Sequence, residues 1–60
     1  MDIKDVRTGM PVITGLRMGT VDEGRSWDGY DYYAHIIWQN GLHTYANVRN
    51  MNPYRKPKTI

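Results

Sequence analysis

The side chains best suited to binding chemistry lie in the stretch WDGYDYY, where aromatic and acidic residues are interleaved. Aromatic faces and carboxylates both attract a cation, because the ring quadrupole and the negative charge act in the same direction. This pattern predicts a surface that binds an arginine, a lysine or a methylated form of either, presented on an extended peptide of a partner protein. The predicted contact residues are Trp27, Asp28, Tyr30, Asp31, Tyr32 and Tyr54.

The same aromatic residues have a structural alternative. Because the chain contains no phenylalanine, Trp27 and one of the tyrosines could fold back and cover the open end of a thin core. A Trp27→Ala variant that lost stability but kept its partner would favour this covering role. The sequence leaves both interpretations open.

His35 and His43 are the candidate metal ligands, since they lie on neighbouring predicted strands near a turn. Divalent metals normally take three or four protein ligands, and the sequence places no third ligand beside the two imidazoles. We therefore expect no metal and no cofactor. Catalysis is not expected either, because the chain has no cysteine, Ser26 is its only serine, and no titratable pair has the spacing that acid-base chemistry needs.

The basic residues are concentrated at the C-terminus. Residues 1–48 hold six acidic and four basic side chains, so the formal charge of +2 comes from the last twelve residues. A basic end of this kind, residues 55–60, is expected to be a flexible, solvated tail. The alternative is nucleic-acid binding through phosphate contacts, which would need two of Arg7, Arg17 and Arg25 on the same face. Its predicted contacts are Arg49, Arg55, Lys56 and Lys58.

The length of 60 residues limits the chain to one domain with a thin core, stabilised as a small barrel or as an oligomer. We expect a monomer or a small homo-oligomer. No apolar run approaches the roughly 18 residues of a membrane span, and the N-terminus lacks a signal-peptide pattern. The expected location is therefore cytoplasmic, without membrane contact.

Six glycines divide the chain into short apolar and β-branched segments, which is typical of strands joined by turns. Strands are predicted at 11–14, 17–23, 32–38 and 42–46, with a polar loop at 24–31. A bulge or bend is expected at Gly19 and a type I′ turn at Asn40-Gly41. The segments NVRN and MNPY predict a 3₁₀ turn and a short closing strand.

Strand parity assigns the core. Ala34, Ile36 and Trp38 alternate along strand 3 and form its more consistently apolar face, while His43 and Tyr45 share the opposite face of strand 4. The predicted core residues are Val6, Val12, Val21, Ala34, Ile36, Trp38, Val48 and Met51.

This layout resembles the small SH3-like barrels. Tudor-like domains and short bacterial and phage barrels have a similar spacing of glycine, valine, tryptophan and proline residues. The segments that carry the resemblance are GMPV, GTV, AHIIWQNG and YANVRNMNP. The resemblance implies a five-stranded antiparallel SH3-like barrel over residues 3–54 and a peptide-binding loop edge. Because such barrels host unrelated activities, the function predicted from the loop is broad: a non-enzymatic intracellular binding module or accessory regulator.

A further alternative concerns LHTY, residues 42–45. In type II dihydrofolate reductases, which are tetramers of SH3-like barrels, a Val-Gln-Ile-Tyr segment at the corresponding hairpin lines a shared pore. The resemblance is limited to the apolar first residue and the tyrosine. His43 and Thr44 replace the amide and the apolar wall of that pore, so the reductase is a remote alternative.

Overall fold

The structure is a computed structural model that describes residues 1–55. Five strands and two single 3₁₀ turns account for the regular structure of this part of the chain. The elements are a 3₁₀ turn at Ile3–Asp5, β1 at Pro11–Thr14, β2 at Arg17–Trp27, β3 at Tyr32–Trp38, β4 at His43–Asn47, a 3₁₀ turn at Val48–Asn50 and β5 at Asn52–Pro53.

The strands form one antiparallel sheet in the order β4-β3-β2-β1-β5. The predicted all-β class is therefore confirmed. No ladder joins the edge strands β4 and β5 within residues 1–55, so the sheet is open rather than a closed barrel. No helix in the same range is long and apolar enough to span a bilayer.

The predicted core is confirmed in full. Its eight side chains are the buried hydrophobic residues of the described chain, and the partly buried Met1, Ile3, Met10 and Ala46 pack against them. The alternation of side chains along a strand explains the agreement for β3. Ala34, Ile36 and Trp38 occupy every second position and share the covered face.

Strand β2 is longer than the sequence predicts. It continues to Trp27 through residues assigned to a polar loop, and its register against β3 shifts between Val21 and Arg25. Gly24, with φ of 120°, lies inside this irregularity and supplies the left-handed backbone that it requires. The loop prediction is therefore wrong for residues 24–27, because in sequence a glycine inside a bulge has the same pattern as a glycine that ends a strand.

Gly19 has a different role from the predicted bulge. It is buried in β2 and pairs with Trp38. A Cβ at this position would lie 2.5 Å from Cγ2 of Ile36 and 3.0 Å from the backbone oxygen of Ile37. The glycine is needed because β3 leaves no space for a side chain there.

The β3–β4 hairpin has a three-residue loop instead of the predicted two-residue type I′ turn. The Gly41 amide donates to the Trp38 oxygen at 2.9 Å, and the Trp38 amide donates to the Leu42 oxygen at 2.8 Å. Of the two residues of the predicted turn, Gly41 has a positive φ, of 88°, and Asn40 does not. Asn40 instead accepts the Leu42 amide on its side-chain oxygen at 3.1 Å, so the dipeptide marks the turn but not its type.

Candidate functional site

Asp28 organises the loop between β2 and β3. Its Oδ1 accepts the amides of Tyr30 and Asp31, both at 2.8 Å, and its Oδ2 accepts the hydroxyl of Tyr33 at 3.0 Å. These donors favour the charged form, so the amide of Asp31, followed by that of Tyr30, lowers the pKa of Asp28. Donation to the same carboxylate raises the pKa of Tyr33. Asp28 thus holds the loop in shape.

The aromatic residues of the loop lie outside the core. Trp27 and Tyr32 are paired across β2 and β3, with ring centroids 4.4 Å apart and planes tilted by 39°. Trp27 is 54% exposed, Tyr32 42% and Tyr30 85%. Covering the core falls to other side chains, among them Met1 and Ile3. None of the three rings is buried or among the partly buried hydrophobic residues that pack against the core within residues 1–55.

The exposed aromatic residues line an open groove of about 470 Å³, here called the aromatic groove. Its lining residues are Met1, Asp2, Ile3, Trp27, Tyr30, Asp31, Tyr32, Asn47, Val48 and Arg49. The N-terminal segment is held there because the Met1 nitrogen donates to the oxygens of Met51, at 2.9 Å, and Val48, at 3.3 Å. Sequence reasoning missed this segment, since nothing local connects it to the loop.

Asp31 and Arg49 form an ion pair in the aromatic groove, with Oδ1 and Nη2 2.6 Å apart. Asp31 is partly buried, whereas Arg49 is exposed. The pair brings a predicted partner-binding residue together with a predicted phosphate contact. Arg49, in the 3₁₀ turn Val48–Asn50, is therefore joined to the loop between β2 and β3 through Asp31.

Tyr54 lies in a second groove of about 420 Å³, which shares no lining residue with the aromatic groove. The amide of Tyr54 donates to the backbone oxygen of Pro11 at 3.0 Å. This contact follows the pairing of β5 with β1, at the edge of the sheet opposite β4. The structure thus separates Tyr54 from the other predicted contact residues. Asp28 does not line the aromatic groove either.

Three further arginines have local partners of their own. Arg7 donates to the oxygens of Lys4 and Val6, at 2.6 and 3.2 Å. Arg25 donates to the oxygens of two residues of its own strand at 2.9 and 2.8 Å. Arg17 lies over the ring of Trp38, 4.8 Å from its centroid.

The rest of the predicted basic surface lies at the C-terminus. Arg55 is exposed, while Lys56 and Lys58 lie outside the described residues. The predictions of a flexible tail and of phosphate contacts by these two lysines therefore stay predictions.

The two histidines have a third potential ligand beside them. His35 and His43 lie with ring centroids 5.4 Å apart, and Nδ1 of His35 is 3.4 Å from Oδ2 of Asp22. One ligand atom from each of the three residues lies within 4.8 Å of the others. Asp22 is thus a third potential ligand, which the sequence alone does not place. The nearness of Asp22 follows from strand pairing. Val21 lies opposite Ile36, so the next residue of β2, Asp22, comes beside His35 on β3.

Thr44 and Tyr45 of the LHTY segment make side-chain contacts within the chain, whereas Leu42 is 55% exposed. Oγ1 of Thr44 accepts the indole N–H of Trp38 at 2.6 Å. Tyr45 stacks on His35 with ring centroids 5.2 Å apart and planes within 27°. Both contacts are made within one chain.

The chain matches no protein-family model, no curated protein and no solved structure. The likeness to SH3-like barrels therefore rests on the residue pattern.

Proposed function

We propose that the protein is a small, non-enzymatic intracellular module that binds a partner protein through the aromatic groove. The ligand is an extended segment of the partner that carries an arginine, a lysine or a methylated form of either. The observation that carries this proposal is the exposure of Trp27, Tyr30 and Tyr32 around one groove that also contains Asp31.

Aromatic exposure supports the proposal energetically. Three large rings exposed on a domain of 60 residues form an apolar patch that gains free energy when a partner covers it. The tilted contact between Trp27 and Tyr32 fixes both rings, so binding does not have to order them. A cation above these faces gains about 0.5 to 2 kcal/mol beyond the burial of its alkyl chain.

The ion pair of Asp31 and Arg49 defines how the cation enters. Arg49 is exposed while Asp31 is partly buried, so water competes for the guanidinium end of the pair. An incoming guanidinium or ammonium group can therefore replace Arg49 on Asp31 at small cost. Asp28 stays with its three internal donors and keeps the loop in its binding shape.

The open sheet is related to a more specific fold. We take the chain to be an SH3-like barrel of the short bacterial or phage kind, with the aromatic groove at the loop edge where such domains bind peptides. The long β2 with its bulge and the 3₁₀ turn between β4 and β5 support this assignment. The closed form would require β4 and β5 to approach each other.

The proposal is tested by screening an array of cationic peptides with the purified protein and with variants. Trp27→Ala and Tyr30→Ala should each reduce binding markedly, since an aromatic anchor in an interface contributes about 2 kcal/mol or more. Tyr45→Ala is the matched control, because Tyr45 is equally exposed but lies outside the aromatic groove. Equal binding by Trp27→Ala and the wild type, or a loss confined to variants that unfold, would refute the proposal.

A further inference from the structure

We propose that Asp22, His35 and His43 form a binding site for a divalent transition metal of the zinc type, on the face of the sheet opposite the core. This site shares no residue with the aromatic groove, so metal binding can be tested independently of the proposed function. Asp22 lies on β2, His35 on β3 and His43 on β4. A bound ion would therefore join three adjacent strands.

The sheet register brings the three residues together. Val21 pairs with Ile36, so Asp22 and His35 follow on the opposite face of β2 and β3. Ile37 pairs with His43, which makes His43 the diagonal neighbour of His35. Diagonal neighbours on one face are within reach of long side chains.

The distances fit a tetrahedral ion after a small adjustment. Bonds of about 2.0 to 2.2 Å to nitrogen and oxygen separate the donor atoms of a tetrahedral site by about 3.4 Å. Nδ1 of His35 and Oδ2 of Asp22 already lie 3.4 Å apart. The three ligand atoms lie within 4.8 Å of one another, and the exposed His43 can rotate its ring closer.

The surroundings hold the central ligand in place. Tyr45 stacks on His35 at 5.2 Å and thereby limits rotation of the imidazole. Gly24 makes this stack fit, because a Cβ there would lie 2.8 Å from the Tyr45 hydroxyl and 3.3 Å from Cβ of His35. His35 thus needs less ordering on binding, which favours affinity.

The donor set selects the kind of ion. Two imidazole nitrogens and one carboxylate oxygen suit Zn²⁺, Ni²⁺ or Cu²⁺, whereas Mg²⁺ and Ca²⁺ prefer sites built from oxygen alone. Because Asp22 and His35 are only partly buried and His43 is exposed, the fourth position opens to solvent and can accept water. An open fourth position is also compatible with a donor from a second molecule.

The test is calorimetric titration of the full chain, without a polyhistidine tag, with zinc chloride in the presence of excess magnesium. We expect one zinc ion per chain and a melting temperature that rises with zinc concentration, because the ion binds the folded state. His43→Gln and Asp22→Asn each remove one ligand, so each should weaken binding by more than the roughly tenfold that the loss of an outer-shell partner costs. Glu23→Gln is the matched control, since Glu23 is the exposed neighbour of Asp22, and it should bind as the wild type does.

Two results would overturn the proposal: no heat of zinc binding at micromolar concentrations, or unchanged affinity in His43→Gln. Circular dichroism of each metal-free variant checks the fold. Should Asp22→Asn prove unstable, His43→Gln decides alone, because His43 is exposed and contributes nothing to the core.

Discussion

At the scale of single residues, polar side chains in this protein mainly fix the shapes of loops and rings. Asp28 accepts two amides of its own loop and the hydroxyl of Tyr33 on β3, and Thr44 accepts a hydrogen bond from the indole N–H of the buried Trp38. Such roles are hard to predict from sequence. The local sequence of an aspartate beside a tryptophan is the same whether the carboxylate faces a ligand or its own backbone.

Asp28 and Tyr33 predict a pH window for the loop. A lowered carboxyl pKa stabilises the fold above the ordinary value of 3.8, and this contribution is lost as the pH falls through the lower folded value. A raised tyrosine pKa stabilises the fold below 10.0, and this contribution is lost as the pH rises through the higher folded value. The loop should therefore keep one structure between these limits.

The measurement for the acid limit is an NMR titration of the Tyr30 and Asp31 amides. The chemical shift of the Tyr30 amide, whose residue has no carboxyl group of its own, should change with a midpoint below 3.8, and Asp28→Asn should abolish that change. A midpoint at or above the ordinary value would show that the carboxylate does not accept these amides in solution.

Thr44 gives a second prediction at this scale. Thr44→Val keeps the shape and the strand preference of the side chain but leaves the indole N–H of Trp38 without its acceptor. Urea denaturation should show a loss of about 1 kcal/mol, while Thr44→Ser, which keeps the hydroxyl, should lose less. Equal losses in the two variants would mean that the hydrogen bond contributes nothing.

At the scale of elements, close packing between β2 and β3 determines which glycines are indispensable. Gly19 faces Ile36 and Trp38 at distances that exclude a methyl group. Gly24 instead has the backbone of a bulge. The sequence places Gly19 within a predicted strand and Gly24 at the start of a predicted loop, and only the packed sheet shows what each glycine does.

Gly19→Ala should destabilise the protein by about 1 to 3 kcal/mol, because the new methyl group overpacks a filled core. Thermal or urea denaturation monitored by tryptophan fluorescence measures this loss. Thr20→Ala, one residue along the same strand and exposed, is the control and should change stability much less. If Gly19→Ala unfolded at the wild-type midpoint, β2 and β3 would be less tightly packed than described.

Parity explains why the core could be predicted and the site only in part. Alternation along β3 identifies Ala34, Ile36 and Trp38 without any tertiary information. The aromatic groove depends instead on the N-terminal segment reaching Val48 and Met51, and the approach of Asp22 to the two histidines depends on strand register. Neither long-range arrangement is encoded in a local pattern.

At the scale of the whole molecule, the open sheet separates two chemical surfaces. The aromatic groove combines exposed rings with an ion pair, and the histidine cluster lies on the outer face of β2, β3 and β4. The absence of catalysis and the small oligomeric state stay predictions. Sedimentation would separate a monomer from the tetramer that a shared reductase pore requires.

The most direct test of peptide binding uses the two tryptophan indole N–H signals in NMR spectra. We predict that a peptide carrying arginine, methylated arginine or trimethyl-lysine shifts the Trp27 indole and the amides of residues 30–32. The Trp38 indole, held by Thr44, should not move, and a peptide with glutamine in place of the cation should shift the groove signals far less. Unchanged Trp27 signals at saturating peptide, or shifts confined to other surfaces, would contradict the proposed function.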